Sequence, residues 1–123
     1  MTPFGAHIRQ LRADRGMTLS QMAAELNLSA AYLSALEHGK RGRPAPGLVM
    51  QICGLFGLIW DEAETLKHLA SLSVPKVTLD LAGRSPLATE TVNLLAARLD
   101  ALSEEEWAAL KALLDPDLDG KSG

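Results

Sequence analysis

The first 73 residues contain five segments in which apolar residues recur at the spacing of one face of a helix. Thr2 and Pro3 are a typical helix start, because a side-chain oxygen can cap the helix and proline suits its first position. The first four helices are predicted to end at the breaks Gly16, Asn27, Gly39 and Gly57. Five short helices with inward apolar faces predict a compact bundle.

Polar residues at the starts of three of these segments have the spacing of helix caps. Thr18 is followed after three residues by Gln21, and Asp61 by Glu64, which is the pattern of a capping box. Ser29 follows Asn27 closely and is predicted to cap the third helix. The second and third helices are therefore short and are joined by a tight turn.

The hydrophobic period changes after Pro75. Val77, Leu79 and Leu81 alternate with polar residues, which is the two-residue rhythm of a strand. Two further amphipathic helices follow, starting near Ser85 and Ser103. The predicted fold is mainly all-α, a five-helix bundle followed by a short β-strand and two C-terminal helices. The predicted divisions are a domain at 1–73, a strand-plus-helices segment at 74–115 and a flexible tail at 116–123.

Composition agrees with a folded protein that has one main core. The chain has 123 residues, of which 47% are hydrophobic and 22% charged, an ordinary balance for a globular domain. No apolar run approaches the roughly 20 residues needed to span a bilayer, and the first residues lack a signal-peptide pattern. These features predict a cytoplasmic protein.

The net charge of −3 hides an uneven distribution along the chain. Residues 1–60 contain six Lys or Arg and three Asp or Glu, a net charge of +3, whereas residues 61–123 have a net charge of −6. A basic half beside an acidic half suggests that one face binds polyanions while the other has a different role. Random scatter of charges is the alternative that this observation alone leaves open.

Residues that could support catalysis or metal binding form no recognisable constellation. Cys53 is the single cysteine, and His7, His38 and His68 do not have metal-ligand spacing with it. No nucleophile, base and orienting group recur in a catalytic pattern, and the glycines lack a phosphate-loop arrangement. We expect no enzyme activity, no metal and no cofactor, and we interpret Cys53 as a small buried residue.

The segment from Thr18 to Gly39 carries a more specific signal. Its sequence TLSQMAAELNLSAAYLSALEHG closely resembles the helix-turn-helix of the XRE family, which includes the lambda and 434 repressors and Cro. The resemblance extends over residues 3 to about 72. Family-typical positions are occupied by Ala23, Leu28, Ser29, Tyr32, Ser34, Glu37 and Gly39. The resemblance implies a sequence-specific, double-stranded DNA-binding transcriptional regulator.

The same resemblance implies that the third helix enters the major groove. The residues that would face bases are Ser29, Ala30, Ala31, Tyr32 and Ala35. The three alanines depart from the family pattern, because they cannot form the bidentate hydrogen bonds by which Arg, Asn or Gln discriminate bases. Direct readout is therefore expected to be sparse, with methyl contacts to thymine and DNA shape supplying the rest.

Contacts to the DNA backbone are implied for the start of the second helix and for the basic loop after the third. The residues concerned are Thr18, Ser20, Gln21, Ser34, Lys40, Arg41 and Arg43. As a charge cluster alone, the three loop cations are equally well interpreted as solvated, and Arg43 has a second interpretation as a minor-groove residue. Leu19 stands where many relatives have a phosphate-binding glutamine. Arg12 and Glu37 occupy the positions of a structural ion pair.

The C-terminal segment is predicted to form a homodimer. The isolated strand would pair with its copy while the leucine faces of the flanking helices pack together, and the residues assigned to this interface are Val77, Leu79, Leu81, Leu95 and Leu99. A dimeric repressor on an inverted-repeat operator follows, associated with the nucleoid when bound. The alternative is an antitoxin-like regulator whose acidic C-terminal segment binds a protein partner.

Overall fold

The computed structural model describes residues 1–115, and these divide into two compact units on either side of the boundary between Thr78 and Leu79. Seven helices lie in this part of the chain: α1 Pro3–Asp14, α2 Leu19–Glu25, α3 Ala30–Glu37, α4 Pro46–Phe56, α5 Asp61–Ser71, α6 Pro86–Ala97 and α7 Glu104–Leu114. The predicted all-helical character is confirmed. The predicted flexible tail at 116–123 lies outside the described residues.

The first unit is built around one apolar core to which each of its five helices contributes. The largest side chains that are fully buried there are apolar, apart from one carboxylate discussed below: Phe4, Ile8, Met22, Leu33, Leu36, Ile52 and Leu66. Burying one such side chain stabilises the fold by about 1.5–3 kcal/mol relative to leaving it exposed. The stripes visible in the sequence therefore provide the main driving force for this unit.

The turn between α2 and α3 is made by an asparagine with a left-handed backbone. Asn27 has φ of 60°, and the amide of Leu28 donates to the carbonyl of Ala23 at 2.8 Å. The Asn27 amide donates to the Ala24 carbonyl at 3.1 Å, which completes a Schellman motif. Leu28 is thereby placed against the core. The predicted end of α2 is confirmed.

The start of α5 differs from its prediction. Asp61 was expected to be the cap of a capping box with Glu64, but Asp61 is the first helical residue and Trp60 precedes it without a side-chain cap. Trp60 has φ of 53°, a conformation that is unusual for a bulky residue. The acidic residues of this first turn face the positive end of the helix dipole instead.

The predicted strand at Val77–Leu81 was wrong. These residues form an irregular connection, and the part of the chain that the structure describes contains no strand. Val77 and Leu79 are exposed, whereas Leu81 is half-buried. Alternating hydrophobicity alone cannot form a strand, because the backbone also needs a partner strand to accept and donate its hydrogen bonds.

The second unit contains α6 and α7, whose starts agree with the sequence. Ser85 caps α6, and Ser103 with Glu106 forms a complete capping box at α7. Hydrogen bonds from Ser103 hold the pKa of Glu106 below its ordinary value. Neither helix has a buried residue, and leucines such as Leu94 and Leu113 are largely exposed. Two helices without a buried core are not expected to be stable alone.

Two further sequence predictions concern membrane-spanning segments and the single cysteine. No helix within residues 1–115 is long and apolar enough to cross a membrane. Cys53 is buried, as predicted, and its burial raises the pKa of the thiol, so the neutral and unreactive form is favoured.

Close backbone approach and a buried hydroxyl help to fix α1 against α3 and α5. A Cβ atom placed on Gly5 would lie 2.0 Å from the carbonyl oxygen of Glu37, so the two helices approach to a distance that only glycine permits. The buried hydroxyl of Ser73 accepts from the Phe4 amide at 2.9 Å and donates to the Leu69 carbonyl at 2.6 Å. The first contact sets the distance between α1 and α3, and the second joins α1 to the end of α5.

We expect Gly5→Ala to destabilise the protein by about 3 kcal/mol, the upper end of the range for overpacking, because the added methyl group meets rigid backbone. Urea unfolding followed by circular dichroism measures the change. The matched control is Gly54→Ala in α4, where a Cβ meets nothing within 4 Å. This control should be neutral or stabilising by up to about 1 kcal/mol. Equal stabilities for the two variants would contradict the close approach of α1 and α3.

Candidate nucleic-acid interface

Helices α2 and α3 form a helix-turn-helix in which α3 presents one face to the core and the other to solvent. Leu33 and Leu36 are buried, while Ser29 and Ala31 are exposed on the other side of the helix. The hydroxyl of Ser29 accepts from the Tyr32 amide at 3.0 Å, which caps the start of α3 as predicted. The small side chains of the exposed face allow close approach of another surface.

The predicted base-facing residues do not all have the same exposure. Ser29 and Ala31 are exposed, Tyr32 and Ala35 are half-buried, and Ala30 is half-buried with contacts to the core. Ala31 is therefore the alanine of this group that lies most openly on the surface. A face of this composition offers methyl groups and one hydroxyl, with few groups that could form bidentate hydrogen bonds.

Two of the predicted phosphate-binding residues at the start of α2, Thr18 and Gln21, form hydrogen bonds that cap the helix. The Thr18 hydroxyl accepts from the Gln21 amide at 3.0 Å, and the Gln21 side-chain oxygen accepts from the Thr18 amide at 2.8 Å. Ser20 is exposed, and Ser34 on α3 is half-buried. The capping box is confirmed, and it fixes the orientation of these side chains at the protein surface.

The basic loop lies between α3 and α4 and carries three exposed cations. Lys40, Arg41 and Arg43 form no ion pair within residues 1–115. The Arg41 guanidinium lies over the Tyr32 ring, 5.2 Å from its centroid, which is the distance of a cation–π contact. This contact ties the loop to α3 and was not foreseen from the sequence, because it depends on the path of the loop.

Arg12 and Glu37 are in contact across the bundle. Arg12 Nη2 lies 3.1 Å from Glu37 Oε1 and 3.2 Å from Oε2, and Arg12 Nε donates to Oε2 at 3.4 Å. The side chains retain 13% and 2% exposure. Glu37 also accepts a hydrogen bond from the Thr2 amide through its main-chain carbonyl, at 3.1 Å. The end of α3 is thus joined to α1 by side-chain and backbone contacts.

Arg15, at the end of α1, is a structural residue. Its guanidinium donates to the carbonyls of Leu55 and Phe56 at 3.2 and 2.8 Å and lies 5.2 Å from the centroid of the Phe56 ring. It therefore caps the last turn of α4. Arg9 is exposed beside Met1. In sequence, only the position of Arg15 at the end of α1 could have hinted at this role.

Within residues 1–115, no group of three or more His, Cys, Asp or Glu side chains could hold a metal ion. The predicted interface residues are instead hydroxyls, alanines and cations that lie along α2, α3 and the basic loop. Chemically, the cations can bind a polyanion, and the small side chains of α3 let the helix approach the floor of a groove.

Comparison with known proteins identifies the domain family to which the first unit belongs. The helix-turn-helix domain family matches residues 3–67. Two Bacillus subtilis proteins are similar: the uncharacterised HTH-type transcriptional regulator RghRB, with 38% identity over 61 residues, and the HTH-type transcriptional repressor RghR, with 40% identity over 52 residues. The first alignment covers 50% of this chain and 44% of the relative, and the second 42% and 38%. The chain thus aligns with less than half of each relative. No solved structure matches.

We expect Arg12→Met to destabilise the protein by about 3 kcal/mol, because it leaves the Glu37 carboxylate buried without its partner. This is the lower end of the range for a broken buried pair, since Arg12 itself is partly exposed. Replacing both residues, as Arg12→Met with Glu37→Leu, should recover at least half of the loss. Urea unfolding of the single and double variants gives these values.

The matched control is Lys67→Met, which removes the cation of the exposed pair with Glu64. Its effect should remain below about 1 kcal/mol, the usual limit for an exposed ion pair. A double variant no more stable than Arg12→Met would show that the buried charge is not the cause.

Proposed function

The chain belongs to the helix-turn-helix domain family, and from this premise we propose that it is a sequence-specific DNA-binding transcriptional regulator, acting as a homodimeric repressor on an inverted-repeat operator. The observation that carries the proposal is the exposed, small-residue face of α3 beside three exposed loop cations that form no ion pair within residues 1–115. Repression needs no further machinery, because occupation of a promoter blocks polymerase. One relative, RghR of Bacillus subtilis, is an HTH-type transcriptional repressor.

The division of roles on this surface follows from its chemistry. Salt-dependent affinity for phosphates comes from the loop cations Lys40, Arg41 and Arg43. The same DNA backbone is contacted by Ser20, Ser34 and the capping-box residues Thr18 and Gln21. Ser29 and Ala31 lie nearest the base edges. Because alanine has no hydrogen-bonding group, operator choice depends on thymine methyl groups and on the shape of the groove.

Dimerisation is assigned to the second unit and to the connection before it. α6 and α7 bury none of their residues completely, and Leu87, Leu94 and Leu99 are more than half exposed. Packing these leucines against a second copy removes apolar surface from water. Val77 and Leu79, in the irregular connection, are exposed as well and are available for the same purpose. Two linked DNA-binding units also gain affinity from two half-sites.

A protein partner is the second candidate for this apolar, acidic unit, as in an antitoxin-like regulator. The three consecutive glutamates Glu104 to Glu106 start α7, next to the half-buried Trp107. A basic, apolar partner surface would complement this helix. A monomeric solution mass combined with capture of a defined partner by the second unit would favour this function over self-association.

Selection and sequencing of genomic DNA fragments retained by the purified protein is the test of DNA recognition. We expect an inverted-repeat motif, and the Arg41→Ala/Arg43→Ala variant should weaken binding to every sequence and reduce the salt slope by about 2, one for each lost phosphate contact. Fluorescence anisotropy at several salt concentrations measures both quantities. Ala31→Gln should instead change which bases are preferred at one position of each half-site.

The matched control for the loop variant is Arg84→Ala/Arg98→Ala, which removes the same number of cations from the second unit. It should leave the salt slope unchanged. No enriched motif would refute sequence-specific binding, and equal losses of slope in the two variants would refute the assignment of the loop.

We expect Leu95→Asp/Leu99→Asp to convert the dimer into a monomer, because two carboxylates would have to be buried without partners in the interface. Sedimentation equilibrium gives the mass, and operator affinity should fall with it. Asn93→Asp adds a negative charge to the exposed surface of the same helix and serves as the control. A Leu95→Asp/Leu99→Asp variant that stays dimeric would place the interface elsewhere.

A further inference from the structure

A cleft of about 290 Å³ lies in the first unit between α4, α5 and the end of the basic loop. Its apolar wall is formed by Pro44, Val49, Met50 and Ala70. Pro44, Val49 and Ala70 are buried, so the wall is continuous with the core of the unit. The volume is at the small end of the range for ligand sites, which favours a ligand of about ten non-hydrogen atoms.

Met50 is the exposed part of this wall. Its side chain retains 60% exposure, although it belongs to a helix whose other large apolar residues pack into the core. Methionine is flexible and polarisable, and it adapts its shape to bound apolar groups. The side chain can therefore close over an apolar ligand in the cleft.

Two cations, Arg43 and Lys67, also line the cleft, together with Pro46 and Ser71. Arg43 has no acidic partner among residues 1–115. Within the same residues, Lys67 forms an ion pair with Glu64 at 3.4 Å, and the Glu64 side chain is 73% exposed. Exposed ion pairs of this kind contribute little to stability. Both cations can therefore turn to an anion in the cleft. A phosphate alone would leave the apolar wall uncovered, and a neutral hydrocarbon would leave the cations unused.

We propose that this cleft binds a small organic anion, a monocarboxylic acid with an apolar chain of about eight carbons. The carboxylate is placed between Arg43 and Lys67, and the chain lies on the wall that contains Met50. Arg43 also belongs to the loop assigned to the DNA backbone. Carboxylate and phosphate therefore compete for the same guanidinium, so the ligand acts as an inducer that releases DNA; this part rests on the proposed function.

The competition has a quantitative consequence. If the bound acid lowers the affinity for operator by some factor, then operator lowers the affinity for the acid by the same factor, because the two sites are linked. We expect a factor of about five to ten, the lower part of the usual range for coupled sites, since one of three loop cations is shared.

The first experiment uses the full chain labelled with ¹³C at its methionine methyl groups and titrated with octanoate. The methyl signal of Met50 should shift and saturate, while that of Met22, which is buried in the core, should remain in place. Two matched compounds separate the contributions: 1-octanol has the same chain without the charge, and butyrate has the charge with a short chain. Both should bind at least fivefold more weakly.

Lys67→Gln tests the anion site without changing the loop assigned to DNA. It should weaken octanoate binding about fivefold, the effect of one charge-assisted contact, while Lys111→Gln in α7 should not alter it. An unmoved Met50 signal, equal binding of octanol and octanoate, or equal affinities of the two lysine variants would each overturn the anion site.

Operator affinity, measured by anisotropy with and without saturating octanoate, tests the coupling. A fall of about five- to tenfold supports the inducer role, and an unchanged affinity overturns it. If the protein binds no DNA at all, the proposed function fails, but the Met50 titration still decides whether the cleft holds an organic anion. The two failures are therefore distinguishable.

Discussion

The attachment of Glu37 to α1 is the contact on which the rest of the first unit depends. Glu37 is the last residue of α3, and its buried carboxylate meets Arg12 while its carbonyl accepts from the Thr2 amide. Its backbone also lies against Gly5, at a distance that excludes any side chain there. One residue thus fixes the end of the helix that carries the exposed face, and it does so with charge, hydrogen bonding and close packing together.

The position of α3 matters because its exposed face has few side chains that can form directional hydrogen bonds. Small side chains make a surface that fits closely into a groove but gives few directional contacts, so its orientation must be set by the bundle. Tyr32 links α3 to Arg41 of the basic loop. Through this contact the exposed face of α3 and the charged loop lie next to each other on the surface of the first unit.

The two units differ in how much apolar surface their helices bury. The first has a core to which five helices contribute, and it includes the cleft whose wall extends that core to Met50. The second has well-capped helices, and none of its residues up to Asp115 is buried. Caps and helix propensity stabilise a helix by only a few tenths to about one kcal/mol each, so α6 and α7 gain far less stability within their unit than the helices of the first unit do.

Much of the first unit was predictable, because its signals are local or periodic. Apolar residues at helical spacing identified five helices, and Asn27 and Gly57 marked turns that require a left-handed backbone. The caps at Thr18, Ser29 and Ser103 were predictable because a capping side chain bonds a backbone amide within three residues. These features concern neighbouring residues, so the sequence carries them directly.

One error was local, because α5 begins at Asp61 after Trp60 and lacks the predicted capping box. The other errors and omissions concern contacts between distant residues or absent partners. The strand at 77–81 was inferred from alternation, although pairing and not alternation makes a strand. Arg15 capping α4 and Ser73 bridging α1 to α5 join residues 40 or more positions apart, which no local pattern records. The cleft beside Arg43 likewise exists only where the loop meets α5.

The sequence by itself determined the helices, their ends and the inward faces, because backbone preferences and hydrophobic periodicity act over a few residues. Only the tertiary structure decided how closely α1 and α3 approach, where the loop cations lie and which apolar surface stays exposed. These properties depend on excluded volume and on contacts across the bundle, and they are fixed only when the helices pack against one another.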